Sequence, residues 1–202
     1  VLFACKKDDT NKTDSDTTAC PYTDELENFD NTGLVQDGLI PLSINNFWVY
    51  ADSLWDAEHN LLSTEIDTIK PIATQKTGED IWWNFDGLPN FYSNNDSIFI
   101  LSPPDLGVGC HSKSLLYYPI ESDTTIDWIF PHGYGQARKT YIVGTPVTSP
   151  AGEFSDCYFF SLEDESGDYF EILKPGIGFV KSKRPFSTNY LERTLIDYYI
   201  EE

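Results

Sequence analysis

The sequence predicts a mainly β protein, a single antiparallel β domain built as a sandwich or a strongly curved sheet, with a half-barrel as a variant and little helix. Three observations carry this expectation. Thirteen Phe, twelve Tyr and five Trp favour strands. Twelve Pro and thirteen Gly break the chain at short intervals. From Leu39 onward apolar residues recur with period two, and no stretch sustains a helical period. About 160 residues arranged this way bury a substantial core. There is no repeat at solenoid or propeller spacing.

Taken in order, residues 1–4, Val-Leu-Phe-Ala, read as the remnant of a signal peptide. A membrane span needs about 20 apolar residues, and no later run exceeds strand length. Leu2-Phe3-Ala4-Cys5 resembles the lipobox of bacterial lipoproteins, with Leu2 at its first position, Ala4 before the cut and Cys5 as the acylated residue. Phe3 departs from the usual pattern, and a free cysteine near a terminus is the plainer alternative. Lys6-Lys7-Asp8-Asp9 resembles the export signal that sends some Gram-negative lipoproteins to the outer face of the outer membrane, although a solvated charged linker would look the same. These resemblances imply an outer-membrane lipoprotein exposed at the cell surface, with the periplasmic face as the alternative. Thirteen bases against thirty-three acids give a net charge of -20, which argues against nucleic acid and against anionic lipid as partners. Membrane attachment would then come from acyl chains on Cys5, at about 0.8 kcal/mol per buried methylene.

Residues 5–38 read as a tether and lead-in. Lys6 to Thr18 contains no apolar residue, so it is expected to be disordered and to hold the domain about 20 Å from the membrane. Asp24-Glu25-Leu26-Glu27 allows one helical turn capped by Asp24. Residues 39–202 form the expected β domain. Phe47, Val49 and Ala51 fall on one face and Trp48, Tyr50 and Asp52 on the other, followed by turn residues from Asp56 to Asn60 and a second strand from Leu61 to Ile69. Further strands are expected at Asp80 to Phe85, Ser97 to Leu101, Ser114 to Tyr118, Ile126 to Phe130, Thr140 to Val147, Glu153 to Leu162, Tyr169 to Leu173, Gly178 to Lys181 and Leu195 to Ile200.

Three segments, Pro41 to Tyr50, Ser149 to Phe154 and Leu173 to Lys181, resemble small secreted or lipid-anchored bacterial proteins of the TapB-like family. They cover about a quarter of the domain, and Asn46 stands where that family usually has Gly. The resemblance implies a fold and a location and no catalytic activity. On the residues themselves, Pro150-Ala151-Gly152 suits a tight turn, and Pro175-Gly176-Ile177-Gly178 suits a reversal or bulge that needs positive φ.

No enzyme, cofactor or metal is expected. His59, His111 and His132 lack any ligand spacing, Gly-x-Ser-x-Gly and Ser-x-x-Lys do not occur, and Gly107-Val108-Gly109 and Gly133-Tyr134-Gly135 read as turns. Acids are so common that a pair at glycosidase spacing would arise by chance. Glu163 to Asp168 is clustered enough to hold calcium, but a solvated hairpin turn is the simpler reading. Trp82, Trp83, Trp128, His132 and Tyr134 are the candidate ligand contacts. Adjacent strand residues face opposite ways, which leaves one of Trp82 and Trp83 open to a protein or glycan partner, whereas most such aromatics are simply core.

Of the cysteines, Cys157 lies in a strand, opposite Phe154, Asp156, Tyr158 and Phe160, and serves as a small buried residue. Cys20, Cys110 and Cys157 permit three pairings. Cys20 to Cys110 is the one expected, since it would pin the end of a polar segment to the domain, closing a loop of about 90 residues worth about 4 kcal/mol. A free, buried Cys110 is the alternative. The function expected is a lipid-anchored, non-enzymatic binding or structural module of the cell envelope. A hydrolase with carboxylates brought together across strands and a half-barrel carrier of an apolar ligand are the alternatives.

Overall fold

The computed structural model describes residues 27–77, 80–86, 88–94, 97–102, 112–117, 122–129, 136–164 and 167–201, and the elements in them are all strands. Six form one antiparallel sheet in the order β1 (Glu27–Phe29), β4 (Pro71–Thr77), β5 (Asp80–Phe85), β6 (Leu88–Asn94), β7 (Ser97–Ser102) and β8 (Ser112–Tyr117). Eight form the other, in the order β3 (Leu61–Ile69), β2 (Phe47–Trp55), β14 (Asn189–Tyr199), β13 (Gly178–Phe186), β12 (Gly167–Lys174), β11 (Gly152–Asp164), β10 (Gln136–Ser149) and β9 (Thr124–Ile129). The two sheets are antiparallel and are not closed into a barrel, in keeping with the mainly β class expected.

Each strand expected from the period-two pattern is present. β2 and β3 form the expected hairpin, whose turn closes through Asn60 N donating to Asp56 Oδ1 at 2.8 Å. β1, β4 and β6 were not expected. β4 begins with Pro71 and is largely polar, and it continues directly from β3 through Lys70, so no turn cluster separates the two sheets along the chain. Asp24 to Leu26 of the expected helical turn lie outside the described residues, while Glu27 opens β1 and pairs with Lys76. Residues 27–38 are part of the folded body, as Thr74 Oγ1 donates to Phe29 O and Trp83 Nε1 to Gln36 Oε1 at 2.7 Å.

The core joins the two sheets. Trp83 and Phe85 of β5 meet Trp48 and Tyr50 of β2, Leu195 of β14, Val180 of β13, Leu173 of β12 and Phe160 of β11, with Leu39, Ile40 and Leu42 closing one side. Trp48 and Phe85 rings lie 6.3 Å apart. Of the two faces anticipated for β2, the one carrying Trp48 and Tyr50 is the buried one. In β11 the alternation does not run unbroken. Asp156 has φ 53° and Gly144 on β10 has φ 73°, each at a register shift, and the bulge at Ser155-Asp156 brings both Phe154 and Cys157 into the core. Cys157 is a free, fully buried thiol, and burial raises its pKa.

The segments Pro41 to Tyr50, Ser149 to Phe154 and Leu173 to Lys181 are the joints of this arrangement. Asn46 is buried; its Nδ2 donates to Pro41 O at 3.0 Å and its Oδ1 accepts from Glu201 N at 2.8 Å, and β2 starts at the next residue. Ser43 Oγ and Asn45 Nδ2 donate to the Glu201 carboxylate, holding the C-terminal end against this loop and the Glu201 pKa below the usual carboxylate range. Gly152 has φ 142° after the Pro150-Ala151 turn. Gly176 and Gly178 have φ 78° and 110°, as the reversal into β13 requires. A Cβ on Gly178 would lie 3.4 Å from Trp48 Nε1, the atom that donates to Ile177 O. That contact is an ordinary one, so Gly178→Ala is expected to destabilise the fold by about 1–3 kcal/mol through the backbone strain of a Cβ at φ 110°. Urea unfolding would show this as a lower midpoint, and an unchanged midpoint would mean that the positive φ carries no cost there.

Candidate functional site

Antiparallel partners share a face, so the strand register can be read as rows of side chains across the sheet. One row runs Glu65, Asp52, Arg193, Ser182, Glu171, Phe160 and Tyr141, from β3 to β10. It lies on the Trp48 and Tyr50 face, so along β2 the same face changes from buried aromatic to charged within one step of the pleat.

Arg193 holds the charged part together. Its Nε donates to Asp52 Oδ1 at 2.7 Å, its Nη2 to Asp52 Oδ2 at 2.5 Å and to Asp67 Oδ2 at 3.1 Å, and its guanidinium stands 5.1 Å from the centre of the Tyr50 ring. The fork engages both oxygens of Asp52, and these hydrogen bonds push the Arg193 pKa still higher. Burial raises the Tyr50 hydroxyl pKa, and Tyr50 donates to Phe179 O at 3.0 Å.

Beside this pair is an open cleft of about 240 Å³ lined by Asp52, Leu54, Ser63, Glu65, Phe186 and Leu191. Leu54 and Leu191 are register partners, as are Leu54 and Ser63, so strand pairing places an apolar strip next to a polar one. Phe186 ends β13 and is 57% exposed. Further along the row, Glu171 has an oxygen, Oε2, that is buried without a hydrogen-bond partner among the described residues. Burial pushes Glu171 up to about 8, opposed in part by the charge of Arg184, and pushes Tyr169 up to about 12.

Neither tryptophan proposed from sequence is available to a partner. Trp82 and Trp83 are both 0% exposed. β5 lies between β4 and β6 inside its sheet, and Trp83 belongs to the core; the expectation of one open face fails because both faces of β5 are covered at this point. Trp128 is paired with Ala137 on β9, the outermost described strand of its sheet, and its side chain lies outside the described residues, as do His132 and Tyr134. Cys5, Cys20, Cys110 and His111 also lie outside them. His59 sits in the β2–β3 turn with its Nδ1 2.9 Å from the Tyr190 hydroxyl. Asp164 pairs with Gly167, so the acidic run closes a β11–β12 hairpin. Among the described residues no group of three or more His, Cys, Asp or Glu is placed to hold a metal ion.

Sequence reasoning missed Arg193, Glu65, Phe186 and Glu171. One signal was available, the intrusion of Asp52 into the face that carries Trp48 and Tyr50. Its partner is 141 residues away, which pattern reading cannot supply.

No family model and no curated protein matches the chain, so the TapB-like resemblance rests on its three segments. Among solved structures, one from Parabacteroides distasonis, provisionally named a lipoprotein, is similar over 81% of this chain and 100% of that one, with 15% identity and a TM-score of 0.38. A likeness of that degree carries no argument about function.

Glu171 gives the site a readable pH signature. Its folded pKa, near 8, is raised above the ordinary value of 4.5, so its contribution to stability is complete below that ordinary value and is lost as pH rises through about 8. Across that window the native protein should lose up to about 1.4 kcal/mol per pH unit relative to Glu171→Gln. Urea midpoints measured for both at several pH values should diverge as pH rises; parallel profiles would contradict the buried acid.

Proposed function

We propose that this chain is a lipid-anchored protein of the cell envelope whose β domain is a non-enzymatic binding module, and that its cleft holds a hydroxylated ligand such as a glycan. The observation that carries this reading is the two-point hold of Arg193 on Asp52. Acid-base hydrolysis of a glycoside needs two carboxyl groups free to exchange a proton or attack, facing one another across the substrate. Here one of the two acids of the cleft has both oxygens occupied by a guanidinium. Glu171, the acid whose pKa is raised, is not among the cleft-lining residues. What the cleft offers is an exposed aromatic ring, Phe186, together with the acceptors Ser63 and Glu65. That combination suits stacking against the apolar face of a sugar while its hydroxyls are bound.

The location belongs to the same proposal. It rests on the lipobox-like Leu2 to Cys5, the polar segment after it, and the net charge of -20, which leaves acyl chains as the means of holding an anionic membrane surface. The outer face of the outer membrane is the reading preferred, with the periplasmic face as alternative.

Two experiments test these parts separately. Cys5→Ser should release the protein from membranes, and continued partition after a high-salt wash would refute the anchor. A glycan microarray probed with the labelled full chain should show a class of sugars retained by the native protein. Phe186→Ala should weaken that binding about tenfold, and Glu65→Gln should also reduce it. Absence of any glycan signal, or binding indifferent to both substitutions, would refute the cleft as the site.

A further inference from the structure

We propose that the outer edge of β3 is a docking strand for another protein, one that supplies an extended basic segment in which Lys or Arg alternates with β-branched or apolar residues.

β3 is a terminal strand of the eight-stranded sheet, and among the described residues nothing pairs with its outer side. Its edge therefore carries a row of backbone N–H and C=O groups that an added strand would satisfy. Eight of its nine residues are exposed, including Leu61 at 53%, Leu62 at 52% and Ile66 at 63%. Proteins usually block such an edge with Lys, Pro or shortness. The segment Leu61 to Ile69 has neither Lys, Arg nor Pro, and it is nine residues long, whereas β1, at one edge of the other sheet, has three.

The two faces of β3 specify the partner. Ser63, Glu65 and Asp67 point to one side and Thr64, Ile66 and Thr68 to the other. Asp67 shares Arg193 with Asp52, and Glu65 has no cationic partner among the described residues, so the first face has an excess of negative charge. An antiparallel strand laid on this edge sets its side chains directly against these rows. Opposite Glu65 and Asp67 a base gains a pairing; opposite Thr64 and Ile66 a β-branched or apolar residue covers exposed carbon.

A second copy of the chain does not fit these requirements. Self-pairing about Glu65 sets that residue against itself, and pairing about Ile66 sets Glu65 against Asp67, like charges that oppose association. Pairing about Thr64 avoids the direct clash but still brings together two bodies of charge -20. The strand of this chain with suitable bases, β13 with Lys181 and Lys183, is hydrogen-bonded on both sides within the sheet and is not available to a neighbour.

The test uses the full chain and two synthetic nine-residue peptides, one alternating Lys with Val and Thr and one with Glu in place of Lys. The basic peptide should bind in a saturable, salt-weakened manner and slow amide hydrogen exchange across residues 61–69. The acidic peptide should do neither. Ile66→Lys, on the face away from the cleft, should weaken binding about fivefold or more, while Phe186→Ala should leave it unchanged, which separates this edge from the cleft. Basic peptide that protects other strands instead of β3, or acidic peptide that binds equally, would overturn the proposal. So would concentration-dependent dimerisation that protects β3 without peptide, since the edge would then belong to a second copy.

Discussion

The arrangement depends on two aromatic side chains of β2 that cross over β14 to reach β13. Trp48 Nε1 donates to Ile177 O at 2.6 Å and Tyr50 OH to Phe179 O at 3.0 Å. Burying an indole or phenol without a partner for its polar atom costs about 1–3 kcal/mol. These two bonds remove that cost and fix the start of β13 at the same time. Gly178, between the two accepting carbonyls, has φ 110°, a conformation that a side chain disfavours. The two bonds also set the height at which the rings meet Phe85 of the other sheet, and so the spacing of the two layers.

The charged row lies one step of the pleat beyond these rings. Tyr50 is covered and Asp52 partly covered, so the salt link to Arg193 stands at the margin of the core, where its charges are only partly screened and its geometry is held by the Tyr50 ring beneath it. Single surface ion pairs contribute little, but a bidentate fork shared with a second acid is more constrained than a single pair. The cleft is therefore bounded on one side by a fixed wall, with the exposed Phe186 at the end of β13. Rigid polar walls beside an exposed ring favour recognition of a shaped ligand, because little side-chain entropy is lost on binding.

Much of the fold was legible because apolar residues recur with period two, as in β2 where Trp48 and Tyr50 are buried on one face, and because Gly and Pro mark the reversals at Gly152 and Gly176-Gly178. What was not legible has physical causes. β4 is largely polar and follows β3 without a turn, so its pattern merges with its predecessor. Trp82 and Trp83 misled because alternation tells which residues share a face but not whether both faces are covered. Cys157 is the buried, unpartnered thiol expected, but strict alternation did not foresee that the bulge at Ser155-Asp156 would bring it into the core together with Phe154. The site was least legible of all. It joins residues from β2, β3, β13 and β14, and only the strand order places Arg193 between Asp52 and Ser182.

Charge distribution connects the fold to what it meets outside. Seven of the thirteen bases lie after residue 137, and those on β13 and β14 are largely engaged at home. Lys181 pairs with Glu192 at 2.6 Å, Lys183 lies 4.2 Å from the Tyr190 ring centre, and Arg193 serves Asp52 and Asp67. These internal pairings engage the bases of β13 and β14 within the sheet, while Glu65 at the β3 margin has no cationic partner among the described residues. A domain with this pattern repels copies of itself and anionic surfaces while its margin attracts cations. The same polarity is what the proposed docking of a basic segment on the β3 edge draws on.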